Sequence, residues 1–156
     1  MKQPPPQQRV VERMAPGVLC GEGFLGDTHR DLDDILLTDA AEVEALGLTH
    51  QQIATALHEI LDAAIAAMGR PTPVRGGLTA AWHEAMGRIP SPWPGEGVFP
   101  KGEVELTDPS TGRSLRFAPL SVHLIDRHGF YQGRGSRYRL EPAGLARLLD
   151  IAGSTG

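Results

Sequence analysis

Cysteine is almost absent from this chain. Cys20 is the only one, so no internal disulfide and no thiolate metal cage can form, and a reducing compartment is favoured. Aromatic residues are scarce at 5%, which leaves Leu, Ile, Val and Ala to fill most of a core. Lysine is scarcer still: Lys2 and Lys101 stand against thirteen arginines. Arginine is this chain's ordinary base, and one cluster of it carries less information than it would elsewhere. No apolar run approaches the roughly 20 residues of a membrane span. The opening M-K-Q-P-P-P-Q-Q has no apolar segment of the kind a secretory signal needs. These absences lead to the expectation of a cytoplasmic protein with no membrane partner.

What is present fits one globular domain. The chain has 156 residues, 40% hydrophobic and 22% charged, enough to bury a core without staples. Its net charge of −4 conceals an asymmetry: residues 1–68 hold four bases and eleven acids, residues 69–156 eleven bases and eight acids. Opposite signs suit two halves that pack on each other, or a local anion-binding face.

Residues 1–16 begin Pro/Gln-rich and read as a mobile N-terminal tail; residues 17–152 read as a single α+β domain. Leu32, Ile35, Leu36, Val43 and Leu46 recur at helical spacing, with Asp31, Asp33 and Asp34 at the positive end of the helix dipole. Gly47 is a stop, and Thr49 with Gln52 forms a capping box for a second helix striped by Ile53, Leu57, Ile60, Leu61, Ala64 and Met68. Together they predict an N-terminal helical hairpin. The run Leu78–Met86 has helix propensity, but its alternation and flanking glycines favour a strand. Ile89-Pro-Ser-Pro-Trp-Pro-Gly reads as an extended loop. Residues 103–107 and 113–117 predict a β-hairpin around Asp108–Gly112. A short helix follows over 122–128, capped by Ser121, then a short strand at 138–140 and a last helix opened by Pro142. The predicted fold is α+β: the helical hairpin packed with a small antiparallel sheet and two short C-terminal helices.

Candidate sites follow from local chemistry. Asp27 and His29, in G-D-T-H, look like a metallophosphoesterase element, yet lack the strand before them and a partner motif after them. His58 and Asp62 share a helical face, as in a broken zinc-protease motif, where an exposed i,i+4 pair is the simpler account. L-G-L-T-H-Q-Q-I-A echoes a helix-turn-helix, but its acidic surroundings would repel phosphate, which argues against sequence-specific DNA. His123 and His128 are five residues apart, about 500° of helix, so their side chains leave roughly 140° apart and are not expected to converge on a metal. Residues 129–139, G-F-Y-Q-G-R-G-S-R-Y-R, concentrate glycine, arginine and rings. Glycine-rich turns expose N–H groups, arginine grips carboxylate or phosphate, and rings stack on bases. The candidate ligand-binding set is His123, His128, Tyr131, Arg134, Arg137, Tyr138 and Arg139. The competing account pairs these arginines with the acidic N-terminal helices. Trp93, set between Pro92 and Pro94, suits a loop anchor or a partner surface.

The run Asp108-Pro-Ser-Thr-Gly-Arg-Ser-Leu-Arg-Phe, with Leu120-Ser-Val-His-Leu-Ile and His128 through Pro142, resembles the C-terminal block of uncharacterised bacterial cytosolic proteins. The resemblance implies a bacterial cytosolic protein and supplies no activity. No nucleophile–base pair or metal set is recognisable, so the sequence reads as a non-enzymatic binding or assembly module without cofactor, contacting an anionic small molecule or RNA through loop 129–139. The alternatives are a metal-dependent hydrolase built on Asp27, His29, His58 and Asp62, and a structural homodimer.

Overall fold

A computed structural model describes residues 5–26 and 30–150. The fold is α+β, as the element order implies. Helix α1 spans Pro5–Met14, α2 Leu32–Ala45 and α3 His50–Ala66. Strands β1 Thr72–Pro73, β2 Thr79–His83, β3 Arg88–Pro90, β4 Val98–Pro100, β5 Glu103–Thr107 and β6 Ser114–Phe117 follow, then α4 Pro119–His128 and α5 Pro142–Leu149.

Helix α1 overturns the expectation that residues 1–16 form a mobile tail. Val10 and Met14 lie one turn apart and are 4% and 0% exposed. The residues around them are good helix formers, and proline is tolerated in a first turn. Burial of two apolar side chains offsets the ordering entropy that composition alone suggested would win.

The Thr49–Gln52 capping box forms reciprocally: the Gln52 N–H donates to Thr49 Oγ1 (3.1 Å), and the Thr49 N–H donates to Gln52 Oε1 (2.8 Å). Helix α3 then buries Ile53, Leu57, Ile60, Leu61 and Ala64. They face a four-stranded antiparallel sheet of order β1-β2-β5-β6. Ala80 stands opposite Leu106 and Trp82 opposite Val104, so the expected strand forms over Thr79–His83 with one face in the core, while the alternation stops short of Met86, which is exposed. Pro73 is tolerated because β1 is an edge.

Three local expectations change. Residues 88–100 pair as a second small hairpin, with Ile89 opposite Phe99, where an extended loop was expected. Helix α4 starts at Pro119, three residues before the expected start, and Ser121 accepts the Ala118 N–H at 3.0 Å from inside its first turn. Residues 138–140 form no strand; the chain turns there while Tyr138 and Arg139 reach carboxylates elsewhere.

Helix α4 is the central element. Val122 and Ile125 join the core of α3 and the sheet. Leu120 and Leu124 join a second cluster with Val10, Met14, Phe24, Leu32, Ile35 and Phe130, against which Ile89, Trp93 and Phe99 pack. The β3–β4 hairpin therefore lies over the Leu120–Leu124 face of α4. Among the described residues no helix is long and apolar enough to cross a membrane.

Candidate metal centre

The loop joining β3 to β4 is S-P-W-P-G-E-G, residues 91–97. Two prolines stiffen its first half. Gly95 and Gly97 have φ of +82° and +93°, angles that favour glycine and turn the chain sharply on both sides of Glu96. Ser91 is 1% exposed and staples the loop: its hydroxyl donates to Glu96 Oε1 (2.9 Å) and accepts the Trp93 N–H (3.1 Å). From α1, Arg13 donates to the Ser91 and Pro92 carbonyls at 2.7 and 2.9 Å. The helix that replaces the expected tail therefore helps hold this loop in place.

Glu96 is presented to the C-terminal half of α4. His123 Nε2 lies 2.9 Å from Glu96 Oε1, and His128 Nε2 lies 2.8 Å from Oε2. Trp93 stacks on the His128 ring, with centroids 3.7 Å apart and planes 9° from parallel, and Phe99 borders His123 at 4.7 Å. The three side chains are 15–22% exposed. The cluster is thus walled by rings and still open to water. Arg127 Nε approaches Glu96 Oε2 at 3.8 Å from an exposed position. Hydrogen bonds from His123, His128 and Ser91 outweigh partial burial and hold the Glu96 carboxyl below its ordinary value. Burial pushes the His128 imidazole below its ordinary value, against the pull of Glu96.

The two histidines therefore converge, contrary to the expectation from helix geometry. The ideal-helix angle of roughly 140° between the two positions is not the whole argument. It omits what lies over the arc between them. Leu120, Leu124 and Arg127 project into that arc, and burial of the two leucines seats the β3–β4 hairpin on it. Glu96 arrives midway and is reached from both sides. The sequence contained one usable signal, a lone carboxylate between glycines in a proline-stiffened loop beside a tryptophan.

The other candidate residues do not gather into a site of this kind. His58 Nδ1 and Asp62 lie 3.6 Å apart and are 61% and 66% exposed. Asp27 and His29 lie outside the described residues. In loop 129–139, Phe130 and Tyr131 are each 1% exposed, out of reach of a stacking base. The Tyr131 hydroxyl meets His50 Nδ1 at 2.9 Å, and burial pushes its pKa up. Arg139 grips Asp39 with two nitrogens at 2.6 and 3.0 Å and also meets Glu141 at 3.1 Å. Arg137 and the Tyr138 hydroxyl both donate to Glu103 at 2.8 Å. Arg134 reaches Glu141 at 3.4 Å from an exposed position. The three arginines do not converge on one ligand: Arg137 goes to Glu103, while Arg134 and Arg139 share Glu141 and Arg139 also holds Asp39.

Among the described residues, Glu96, His123 and His128 are the group of three ligand-bearing side chains whose donor atoms all lie within 4.8 Å of one another. Two imidazoles and a carboxylate are a donor set for zinc or ferrous iron, and three protein ligands leave coordination positions for water or substrate. Metal–ligand lengths of about 2.0–2.2 Å put tetrahedral ligand atoms roughly 3.4 Å apart. The histidine–carboxylate separations need to open by only about half an ångström to admit an ion. Comparison with known protein families, characterised proteins and solved structures finds no match.

Proposed function

We propose that this protein binds a divalent transition-metal ion through Glu96, His123 and His128, with at least one coordination position left to water or substrate. The observation that carries this reading is the meeting of three ligand atoms from two separate elements in a ring-walled, partly open cleft. The open position favours a catalytic ion over a closed structural one. Such an ion would supply Lewis acidity and a bound water of lowered pKa. The chain's own residues would fix its geometry: Ser91 and Arg13 through the loop, and Trp93 through the His128 ring. A cytoplasmic setting fits the single cysteine.

The test is titration of tag-free, chelator-stripped protein with Zn(II), and with Co(II) for its visible spectrum. One equivalent should bind with Co(II) bands of a nitrogen–oxygen site. Glu96→Gln and His123→Gln should each weaken Zn(II) at least about tenfold, since loss of mere supporting partners already costs 10–100-fold. His58→Gln should bind as the parent does. Absence of stoichiometric binding, or equal binding by folded Glu96→Gln and His123→Gln proteins, overturns the proposal.

A further inference from the structure

A separate cavity opens at the base of the β3–β4 hairpin. It encloses about 300 Å³, at the small end of the range for ligand pockets. Phe24, Ile89, Ala118 and Leu120 supply apolar wall, and Ser121, Gln132, Lys101, Arg137 and Tyr138 supply the polar groups. It does not share Glu96, His123 or His128, and it does not depend on a metal.

The polar groups around this cavity have unused donors. Gln132 is 4% exposed, and its Oε1 accepts the Ser136 hydroxyl at 2.8 Å. Its Nε2 has no hydrogen-bond partner among the described residues. The Gln132 backbone sits at φ +69°, a costly conformation for a side-chain-bearing residue and one found at ligand sites. Ser121 is 4% exposed; its oxygen accepts the Ala118 N–H, and its own proton has no acceptor among the described residues. Arg137 gives one nitrogen to Glu103 and keeps other N–H groups. Lys101 is exposed at the rim and makes no ion pair among the described residues.

Among the described residues no buried side-chain nitrogen or oxygen lacks a partner, so the spare Gln132 N–H groups reach accessible space; Gln132 and Ser121 both line the cavity, where an acceptor ligand under the basic rim can take their protons. The apolar wall calls for a hydrophobic body behind it. Arg137 is already matched by Glu103, so Lys101 is the uncompensated cation, opposed only by the exposed Glu22. With Arg137 matched by Glu103 and Lys101 facing Glu22 across the rim, the net positive charge is too small for a dianionic phosphate, and a monoanion held by Lys101 is the better fit. We infer that this cavity binds a small apolar monocarboxylate, its carboxylate toward Gln132, Ser121 and Lys101 and its body against Phe24, Ile89 and Leu120. At roughly 20–30 Å³ per heavy atom the space holds about ten to fifteen atoms, the size of octanoate or a phenylalkanoate.

The test uses octanoate and octan-1-ol with the full chain, in chelator so that no metal-bound carboxylate contributes. Octanoate should bind saturably at one site and shift the Gln132 side-chain amide in ¹H–¹⁵N spectra. Octanol should bind at least about tenfold more weakly, because a charge-assisted contact is lost. Lys101→Glu, at an exposed position, should weaken octanoate by at least about tenfold while the exposed His58→Gln leaves it unchanged. The inference is overturned if octanoate does not saturate, if octanol binds equally well, or if the Gln132 amide does not move. It is also overturned if Lys101→Glu binds octanoate as the parent does. None of these outcomes bears on the metal site, whose own test is separate.

Discussion

Glu103 is gripped by two arginines and a tyrosine, and replacing it with glutamine tests the electrostatic account directly. Its side chain is 10% exposed and accepts from Arg116 at 2.6 Å, Arg137 at 2.8 Å and the Tyr138 hydroxyl at 2.8 Å. Burial works to raise its pKa, but hydrogen bonds from Arg137, Tyr138 and Arg116 overcome this and lower it from 4.5 to about 2. At 1.36 kcal/mol per unit, that shift corresponds to about 3 kcal/mol of folding free energy. A carboxylate with a depressed native pKa contributes its full share above the unfolded value and loses it as pH falls. The window therefore runs from pH 4.5 down to about 2. Arg116 and Arg137 are 46% and 51% exposed, so once released they regain water, which keeps the cost below that of stranding a buried charge. Glu103→Gln should lose about 2–3 kcal/mol at pH 7, a melting shift of about 4–12 °C for a chain of this size. Urea unfolding followed by circular dichroism from pH 7 to 2.5 measures both the loss and its pH dependence. The gap between parent and variant should close toward the acid end, where the parent's carboxyl also protonates. A gap that stays constant across that range, or one below about 0.5 kcal/mol at pH 7, refutes the linkage argument.

Two further outcomes test how the chain is held together. Arg139→Met leaves Asp39, with its side chain 3% exposed, without its bidentate partner, and should cost about 3–5 kcal/mol by chemical denaturation; the double variant Asp39→Leu, Arg139→Met should recover part of that loss. Gly133→Ala would place a Cβ 1.9 Å from the Leu25 carbonyl oxygen, a backbone clash that should cost more than about 3 kcal/mol or prevent folding. Gly21→Ala, with nothing within 4 Å, should change thermal stability by less than about 0.5 kcal/mol.

The sequence carried its local chemistry faithfully where neighbours in the chain settle the matter. The Thr49–Gln52 cap, the α3 stripe from Ile53 to Ala64, the Asp108–Gly112 hairpin and Pro142 at the start of α5 are contacts across a few residues, so spacing alone predicts them; Met68, expected on the same stripe, lies past the helix end and is exposed. Scarce cysteine and lysine likewise bounded the chemistry without any fold. Helix α1 was not legible, because Val10 and Met14 repay its ordering only in a core assembled from distant segments. The pairings of loop 129–139 were legible as a possibility of compensation, but not by partner. Arg139 meets Asp39 across 100 residues and Arg137 meets Glu103 across 34, separations that no local pattern encodes. The sharpest case is His123 and His128. Their spacing on α4 sets the ideal-helix angle between them. Whether they share a ligand depended on what the tertiary fold laid between them. Burying Leu120 and Leu124 brought the β3–β4 hairpin over that arc, and with it Glu96.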